Sequence, residues 1–323
     1  MRMPPDISET KQDSGACPRR VFIRRAAALA GSLVLGGTTG HAEPSDVQMA
    51  IAKWDNPLDS DEGLKSVAVK LAERAIADLG GMSRFVKRND VVWLKPNMAF
   101  AMAPEYAVNT NPDVVAALVT MCLEAGAKEV KVGDSGLSGA VLAYKASGIA
   151  DAVIAAGGNP VMPDKTRFKD FAIKGERLHT WPMYTEMMEA DLLINVPIVK
   201  QHPLTRVSAC MKNLMGVAGG MRGQWHADLV TCLNDIASFV RPRLCVVDAI
   251  RMLTKGGPMG GELDDVMRAG IVAAGVDIVA LDAFSATLLG LNPAESKTMD
   301  KAEKRGLGTR DYSKINLRES VVS

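Results

Sequence analysis

The sequence predicts an α/β fold, with a mainly parallel sheet and helices on both faces. Three observations carry that prediction. Short continuous apolar runs alternate along the chain with segments of helical period. Those runs lack the in–out alternation of a half-solvated strand, as strands buried on both faces must. Glycines close the helical segments one after another, and no internal repeat or low-complexity linker interrupts the series.

Taken in order, Ser60 to Leu79 carries Leu64, Val67, Leu71, Ala75 and Leu79 at helical spacing, and Gly80-Gly81 closes it. Val91 to Leu94 is a short apolar run fit for a buried strand. Asn111-Pro112 supplies an N-cap followed by proline at the first helical position, opening a helix that Gly126 stops. Val130 to Val132 reads as the next strand, Leu142 to Ala146 as a helix ending at Gly148, and Ile149 to Ala156 as a second short helix. Leu192 to Val199 follows as a strand, Ala227 to Val240 as a helix and Leu244 to Val247 as a strand. Ile271 to Leu281 is expected to pass from helix to strand, and Ala283 to Leu289 to be helical.

Composition narrows the function classes. In 323 residues, 47% are hydrophobic and 23% charged, which is ample for a core and unlike a disordered chain. A formal charge of +1 argues against nucleic-acid binding by bulk electrostatics, and 5% aromatics against extended stacking platforms. The cysteines, Cys17, Cys122, Cys210, Cys232 and Cys245, form no C-x-x-C pair, so their spacing signals neither a zinc ribbon nor an iron–sulfur cluster. Cys122, Cys232 and Cys245 lie in apolar runs and read as buried thiols.

The first 42 residues read as an export signal. Arg19-Arg20-Val21-Phe22-Ile23-Arg24 resembles the twin-arginine consensus, and a short apolar stretch from Ala26 to Gly37 follows it. Gly40-His41-Ala42 offers small residues where a signal peptidase reads, so cleavage after Ala42 is expected. The apolar stretch is too short for a span, which needs about 20 apolar residues. The expectation is a leader over 1–42, a single domain over 43–323, export through the twin-arginine translocon, and a periplasmic or otherwise extracytoplasmic mature protein without a membrane span.

In open parallel sheets, ligands bind beyond the carboxyl ends of the strands. Each strand exit here delivers polar groups: Lys95-Pro96-Asn97, Gly133-Asp134-Ser135, Lys200-Gln201-His202 and Asp248. The plain alternatives are that Asp134 and Asp248 cap turns or helices, that Lys95 is a solvated lysine, and that His202 is a loop histidine. Pro197 to Val217 is the densest stretch, adding Arg206, Lys212 and Asn213. Clustered cations and amides suit a carboxylate or phosphate, and a histidine among them suits proton transfer. Trp225-His226 adds a second histidine. The loop Gly256-Gly257-Pro258-Met259-Gly260-Gly261 offers backbone N–H groups for an anion, although it matches no Walker or dinucleotide pattern.

Asn97, Asp134 and Asp248 are the oxygen donors for a divalent metal, should they converge, with His202 and His226 as nitrogen donors for a transition metal. No H-E-x-x-H spacing and no G-x-S-x-G elbow occurs, and Ser135 has no base beside it.

Lys95-Pro96-Asn97, Asn111-Pro112, Gly133-Asp134-Ser135, Asn195-x-Pro197-x-x-Lys200-x-His202, Lys212-Asn213-Leu214-x-Gly216, Trp225-His226 and Val247-Asp248 together resemble the domain of unknown function 362 family. The likeness continues through Gly256 to Gly261, Asp277 to Asp282 and Gly306-Leu307-Gly308. It implies that Lys95, Asn97, Asp134, Lys200, His202, Lys212, Asn213 and His226 are a shared polar set. Many members carry added ferredoxin-like cysteine motifs, which this sequence lacks.

Three functions fit this reading. The first is an exported enzyme acting on a small anion, with His202, Lys200 and Asp134 catalytic. Lys95, Asn97, Ser135, Lys212, Asn213, His226, Gly256 and Gly257 would then hold the ligand, and Asp134 with Asp248 would bind a metal or orient the lysines. The second is a metal- or iron–sulfur-associated protein serving a redox partner in a periplasmic electron-transfer chain. The third is a solute-binding module without turnover.

Overall fold

A computed structural model describes residues 46–323, apart from 59, 62, 137 and 138. The expected leader, with its Arg19–Arg24 motif and cleavage point, lies outside the described residues.

The strands are β1 (Met49–Trp54), β2 (Val91–Pro96), β3 (Glu129–Val132), β4 (Asn159–Pro160), β5 (Phe168–Ala172), β6 (Thr180–Tyr184), β7 (Leu192–Val196), β8 (Ile198–His202), β9 (Arg206–Ser208), β10 (Leu244–Leu253), β11 (Val266–Gly275) and β12 (Leu317–Val322). The main sheet runs β12-β1-β11-β10-β7-β2-β3-β4. β10, β7, β2, β3 and β4 are parallel neighbours, as are β1 and β12. β11 alone on this path runs antiparallel to both its neighbours. β5 and β6 form a separate hairpin.

The helices are α1 (Leu64–Asp78), α2 (Pro112–Glu124), α3 (Ala140–Ala146), α4 (Ile149–Ala155), α5 (Thr185–Glu189), α6 (Cys210–Asn213), α7 (Leu229–Val240), α8 (Ile278–Leu288) and α9 (Lys297–Lys304). They cover both sheet faces, so the period-2 pleat divides the core in two. Val92 and Leu94 of β2 pack with α1, α2 and α4, whereas Trp93 between them packs with α7 and α8. The same split separates Ala50 and Ala52 from Met49 and Ile51 in β1. Among the described residues, no helix is long and apolar enough to cross a membrane. Cys122, Cys210, Cys232 and Cys245 are buried free thiols.

Local chemistry sets the element ends. The Asn111 side chain accepts from Asp113 N at 2.8 Å, with Pro112 following, so the expected N-cap opens α2. The helix anticipated from Ser60 begins instead at Leu64, after Gly63 at φ 82°. Ile271 to Leu281 runs in the opposite order to that expected, strand first and then helix. The turn between them is made by Asp277, whose carboxylate caps α8 through Val279 N and Ala280 N at 2.9 Å each.

The single strand expected over Leu192 to Val199 is two. Pro197 has no N–H to give the ladder, so β7 stops before it and β8 continues beyond it against β10. That break carries Lys200 and His202 past the ends of the neighbouring parallel strands.

Candidate functional site

Lys95 is the last residue but one of β2, and it is fully buried. An ammonium in that position must have all three donors met. Its Nζ donates to Pro96 O at 2.8 Å and to Asn213 Oδ1 at 3.0 Å, and it pairs with Asp134 Oδ1 at 2.8 Å. Burial pushes the Lys95 pKa down, Asp134 opposes that shift, and Arg222 adds to it. The other Asp134 oxygen accepts Met98 N at 2.8 Å. A Cβ on Gly216 would fall onto Asp134 Oδ1 and within 2.6 Å of Lys95 Nζ. Only glycine lets the turn after α6 lie across this ion pair, which gives the glycine of the Lys212-Asn213-Leu214-x-Gly216 motif its physical reason.

Asn213 joins the pair to the second lysine. Its Nδ2 donates to Asn195 Oδ1 at 2.8 Å and to Lys95 O at 3.1 Å, while its Oδ1 also accepts Asn97 Nδ2 at 3.3 Å. Asn97 Oδ1 in turn accepts Lys200 Nζ at 3.1 Å. Lys200 completes its coordination with Val108 O at 2.7 Å and Pro258 O at 3.3 Å. All three acceptors are neutral. Burial, then the charge of Lys212, push the Lys200 pKa down to about 7; Asp134 opposes this and Lys95 adds to it.

His202 ends β8 and is buried. Its Nδ1 accepts Leu204 N at 3.2 Å and Thr205 N at 3.3 Å, which leaves the ring proton on Nε2. Burial and the charges of Lys212, His226 and Lys200 hold its pKa down to about 4. The imidazole is therefore neutral at neutral pH and offers an N–H donor.

Lys212 differs from the other two lysines. It is half-buried and, among the described residues, its ammonium makes no hydrogen bond or ion pair. Burial, then Arg222 and Lys95, push its pKa down to about 8.

The expected site residues thus divide. Lys95, Asn97, Asp134, Lys200 and Asn213 form one bonded network, with His202 and Lys212 beside it in the same field of charge. Ser135 is tied in by its backbone, its N–H reaching Gly216 O at 3.0 Å. His226 is exposed, its Nδ1 lying 2.9 Å from Gly223 O. Gly257 N donates to Gln201 Oε1 at 3.1 Å and Gly260 N to Gly256 O at 3.0 Å, so these N–H groups of the glycine-rich loop are already used. The loop also turns a carbonyl, that of Pro258, toward Lys200.

Asp134 and Asp248 have different partners. Asp248 accepts Asn111 N at 2.7 Å and Ile250 N at 3.0 Å, the structural alternative weighed for it. Burial raises its pKa to about 6 against the pull of those amides. Among the described residues, no group of three or more His, Cys, Asp or Glu is arranged to hold a metal.

Arg222 and Asp282 support the site and were missed. Arg222 donates to Met215 O at 2.7 Å, to Ala218 O at 3.1 Å and to Ser135 O, lacing the turn after α6 to the exit of β3. It sits in a glycine-rich turn with no periodic signal. Asp282 caps α6, accepting Cys210 N and Met211 N, and burial raises its pKa to about 7. Its signal was available: Asp282 is the one charge inside the apolar run Ile278–Leu288.

Residues 92–287 match the family described as a domain of unknown function (DUF362). A thylakoid-associated protein of Synechocystis sp. is 33% identical over 242 residues, which are 71% of this chain and 72% of that protein. Among solved structures, the lactate racemase apoprotein of Thermoanaerobacterium thermosaccharolyticum aligns with 64% of this chain at a TM-score of 0.41 and 11% identity. The chain spans 52% of that protein's length. Nothing of its chemistry transfers at that level.

Two outcomes test this geometry. Gly216→Ala should cost roughly 2–4 kcal/mol of stability in chemical denaturation, because the methyl group must displace a buried ion pair. A cost below about 0.5 kcal/mol would mean that the turn does not lie tightly on the pair.

The second concerns pH. The unfolded histidine protonates near its ordinary 6.5, the folded one only near about 4, so the unfolded chain binds more protons between them. His202 therefore subtracts stability as pH falls through that window. Asp248 and Asp282, with raised pKa values, act in the opposite sense. Comparing wild type with His202→Gln isolates the histidine, and the variant should lose on the order of 1–2 kcal/mol less between pH 6.5 and 4.5. Equal losses would show that His202 is not held neutral.

Proposed function

Because the chain belongs to the DUF362 family, whose description assigns no reaction, we propose its function from the site: an enzyme that binds a small molecule by a carboxylate or phosphate on Lys212, with His202 as the proton-transfer group. The observation that carries this reading is the half-buried ammonium of Lys212, which has no partner among the described residues and lies in a field of further cations. Such a group is poised for an anion from outside.

Lys95 and Lys200 take a different part from the one first expected. Both ammonium groups are coordinated by the protein, so they supply field rather than a contact to ligand. Asp134 serves to hold Lys95. The neutral His202 offers its Nε2–H to the ligand. Burial first, and the charge of Lys212 next, keep His202 deprotonated, so an anion on Lys212 would offset the second of these and make the imidazole readier to take and return a proton.

Export in the folded state is part of the proposal. Its support is the Arg19–Arg24 motif, and the thylakoid association of the Synechocystis relative is consistent with work in a membrane-bounded compartment.

The binding test uses thermal unfolding of the full chain with inorganic phosphate and with acetate. At about 100 times Kd a ligand adds roughly 2.7 kcal/mol, which is a shift of a few degrees. At least one anion should produce it in wild type, and neither in Lys212→Met. A wild type that neither anion stabilises would overturn the reading. For export, Arg19→Lys with Arg20→Lys should leave the chain in the cytoplasm on cell fractionation; unchanged recovery outside it would remove the twin-arginine assignment.

A further inference from the structure

Four cations gather at the polar centre around one carboxylate. Lys95 Nζ pairs with Asp134 Oδ1 at 2.8 Å. Its side-chain amide partner, Asn213 Oδ1 at 3.0 Å, also accepts Asn97 Nδ2 at 3.3 Å, and Asn97 Oδ1 accepts Lys200 Nζ at 3.1 Å. Arg222 joins the same centre by donating to Ser135 O, next to Asp134, and Lys212 precedes Asn213 on α6. The charges act on one another. Lys200 feels Lys212, Asp134 and Lys95; Lys212 feels Arg222 and Lys95; Arg222 feels Asp134. Lys95, Lys200, Arg222 and Asp134 are buried, so salt and water screen them little.

Asp134 can balance one of these cations, and its ion pair with Lys95 uses it. Arg222 and Lys212 then leave a surplus of two positive charges, and Lys200 makes it three whenever its amine is protonated. The acceptors of Lys200 and Arg222 are carbonyl and amide oxygens, which meet the N–H groups and leave the charges standing. Like charges held together disfavour the charged state of each member. A singly charged ligand would remove only part of that surplus.

We infer that the ligand held at Lys212 carries at least two negative charges at its anionic end, as a phosphate monoester or a small dicarboxylate does. The inference rests on the anion-site reading above and adds the ligand's charge class to it. Lys212 is the contact, while Lys95, Lys200 and Arg222 act through the field they add. At an effective dielectric of about 20 and separations on the order of 8 Å, each further unit charge on the ligand is worth roughly tenfold or more in affinity. Such a ligand also moves protons. Negative charge arriving beside Lys200 and Lys212, whose pKa values are about 7 and about 8, raises both, so amines partly neutral near neutral pH take up protons as it binds.

Calorimetric titration of the full chain, at fixed ionic strength and about pH 7.5, compares methyl phosphate with dimethyl phosphate and malonate with acetate. Above a second pKa of about 6 methyl phosphate is doubly charged, as is malonate, whereas dimethyl phosphate and acetate carry one charge. At least one dianion should bind roughly tenfold or more tighter than its singly charged counterpart, and Lys212→Met should remove that binding. Tight binding of methyl phosphate alone assigns a phosphate ester, of malonate alone a dicarboxylate, and of both a site that reads charge. Repeating the titration in buffers of different ionisation enthalpy should show proton uptake, up to about one per ligand bound. If the singly charged anions bind through Lys212 as tightly as the doubly charged ones, or if binding takes up no protons, the inference fails and the anion site stands. If no anion binds, or if Lys212→Met binds them unchanged, both fail.

Discussion

The Lys95–Asp134 ion pair is closed off from water on every side, and the surrounding chain is arranged around that constraint. A buried ammonium without its full set of acceptors costs several kcal/mol, so its partners must be held in place by structure that is itself rigid. β2 supplies the lysine, the exit of β3 the carboxylate, α6 the amide of Asn213, and Gly216 the turn that passes over them. The pair need not add net stability to have this effect. Its contribution is to specify position, because one geometry satisfies all the donors and neighbouring ones leave a charge bare. Lys212 precedes Asn213 on the same short helix, so the constraint that fixes Asn213 also fixes the backbone from which the Lys212 side chain extends.

The charges beyond that pair are unbalanced. Lys200 and Arg222 are met by carbonyl and amide oxygens, and among the described residues neither has a carboxylate in an ion pair. Neutral acceptors satisfy the hydrogen-bonding needs of a cation and leave its charge in place. Burial first, and the charges of neighbouring cations after it, lower the pKa values of Lys200, Lys212 and His202. The anion site proposed for this region would draw on cationic groups that folding has already ordered.

Much of the architecture was legible because parallel strands and amphipathic helices write their period into the sequence. The exits of β2, β3 and β8 could be listed from apolar runs and the residues after them, and that list contains most of the bonded network. β1, β11 and β12 were not legible as sheet partners, since short apolar runs fit strand and buried helix alike. That ambiguity reversed the order over Ile271 to Leu281. The partners of the lysines were hidden for another reason. Val108 O, Pro96 O and Pro258 O are backbone carbonyls, and a sequence does not say which way a carbonyl points. Three lysines that looked equivalent as residues became two coordinated cations and one open one.

Asp134 and Asp248 make the same point from the acid side. Asp134 follows β3, Asp248 lies inside β10, which runs past the Val247 end expected for it to Leu253, and each is buried. What separates them is the segment that comes to meet them. Asp134 faces a lysine beneath a glycine turn, and becomes part of the charged network. Asp248 meets the N–H groups of Asn111 and Ile250, and becomes an anchor for the start of α2. The rule that ligands gather at strand ends picks out the region in which these buried charges lie. Within the region, the role of each residue is decided by the loops that cross it, and so the open ammonium of Lys212 could be told from its neighbours only once their partners were known.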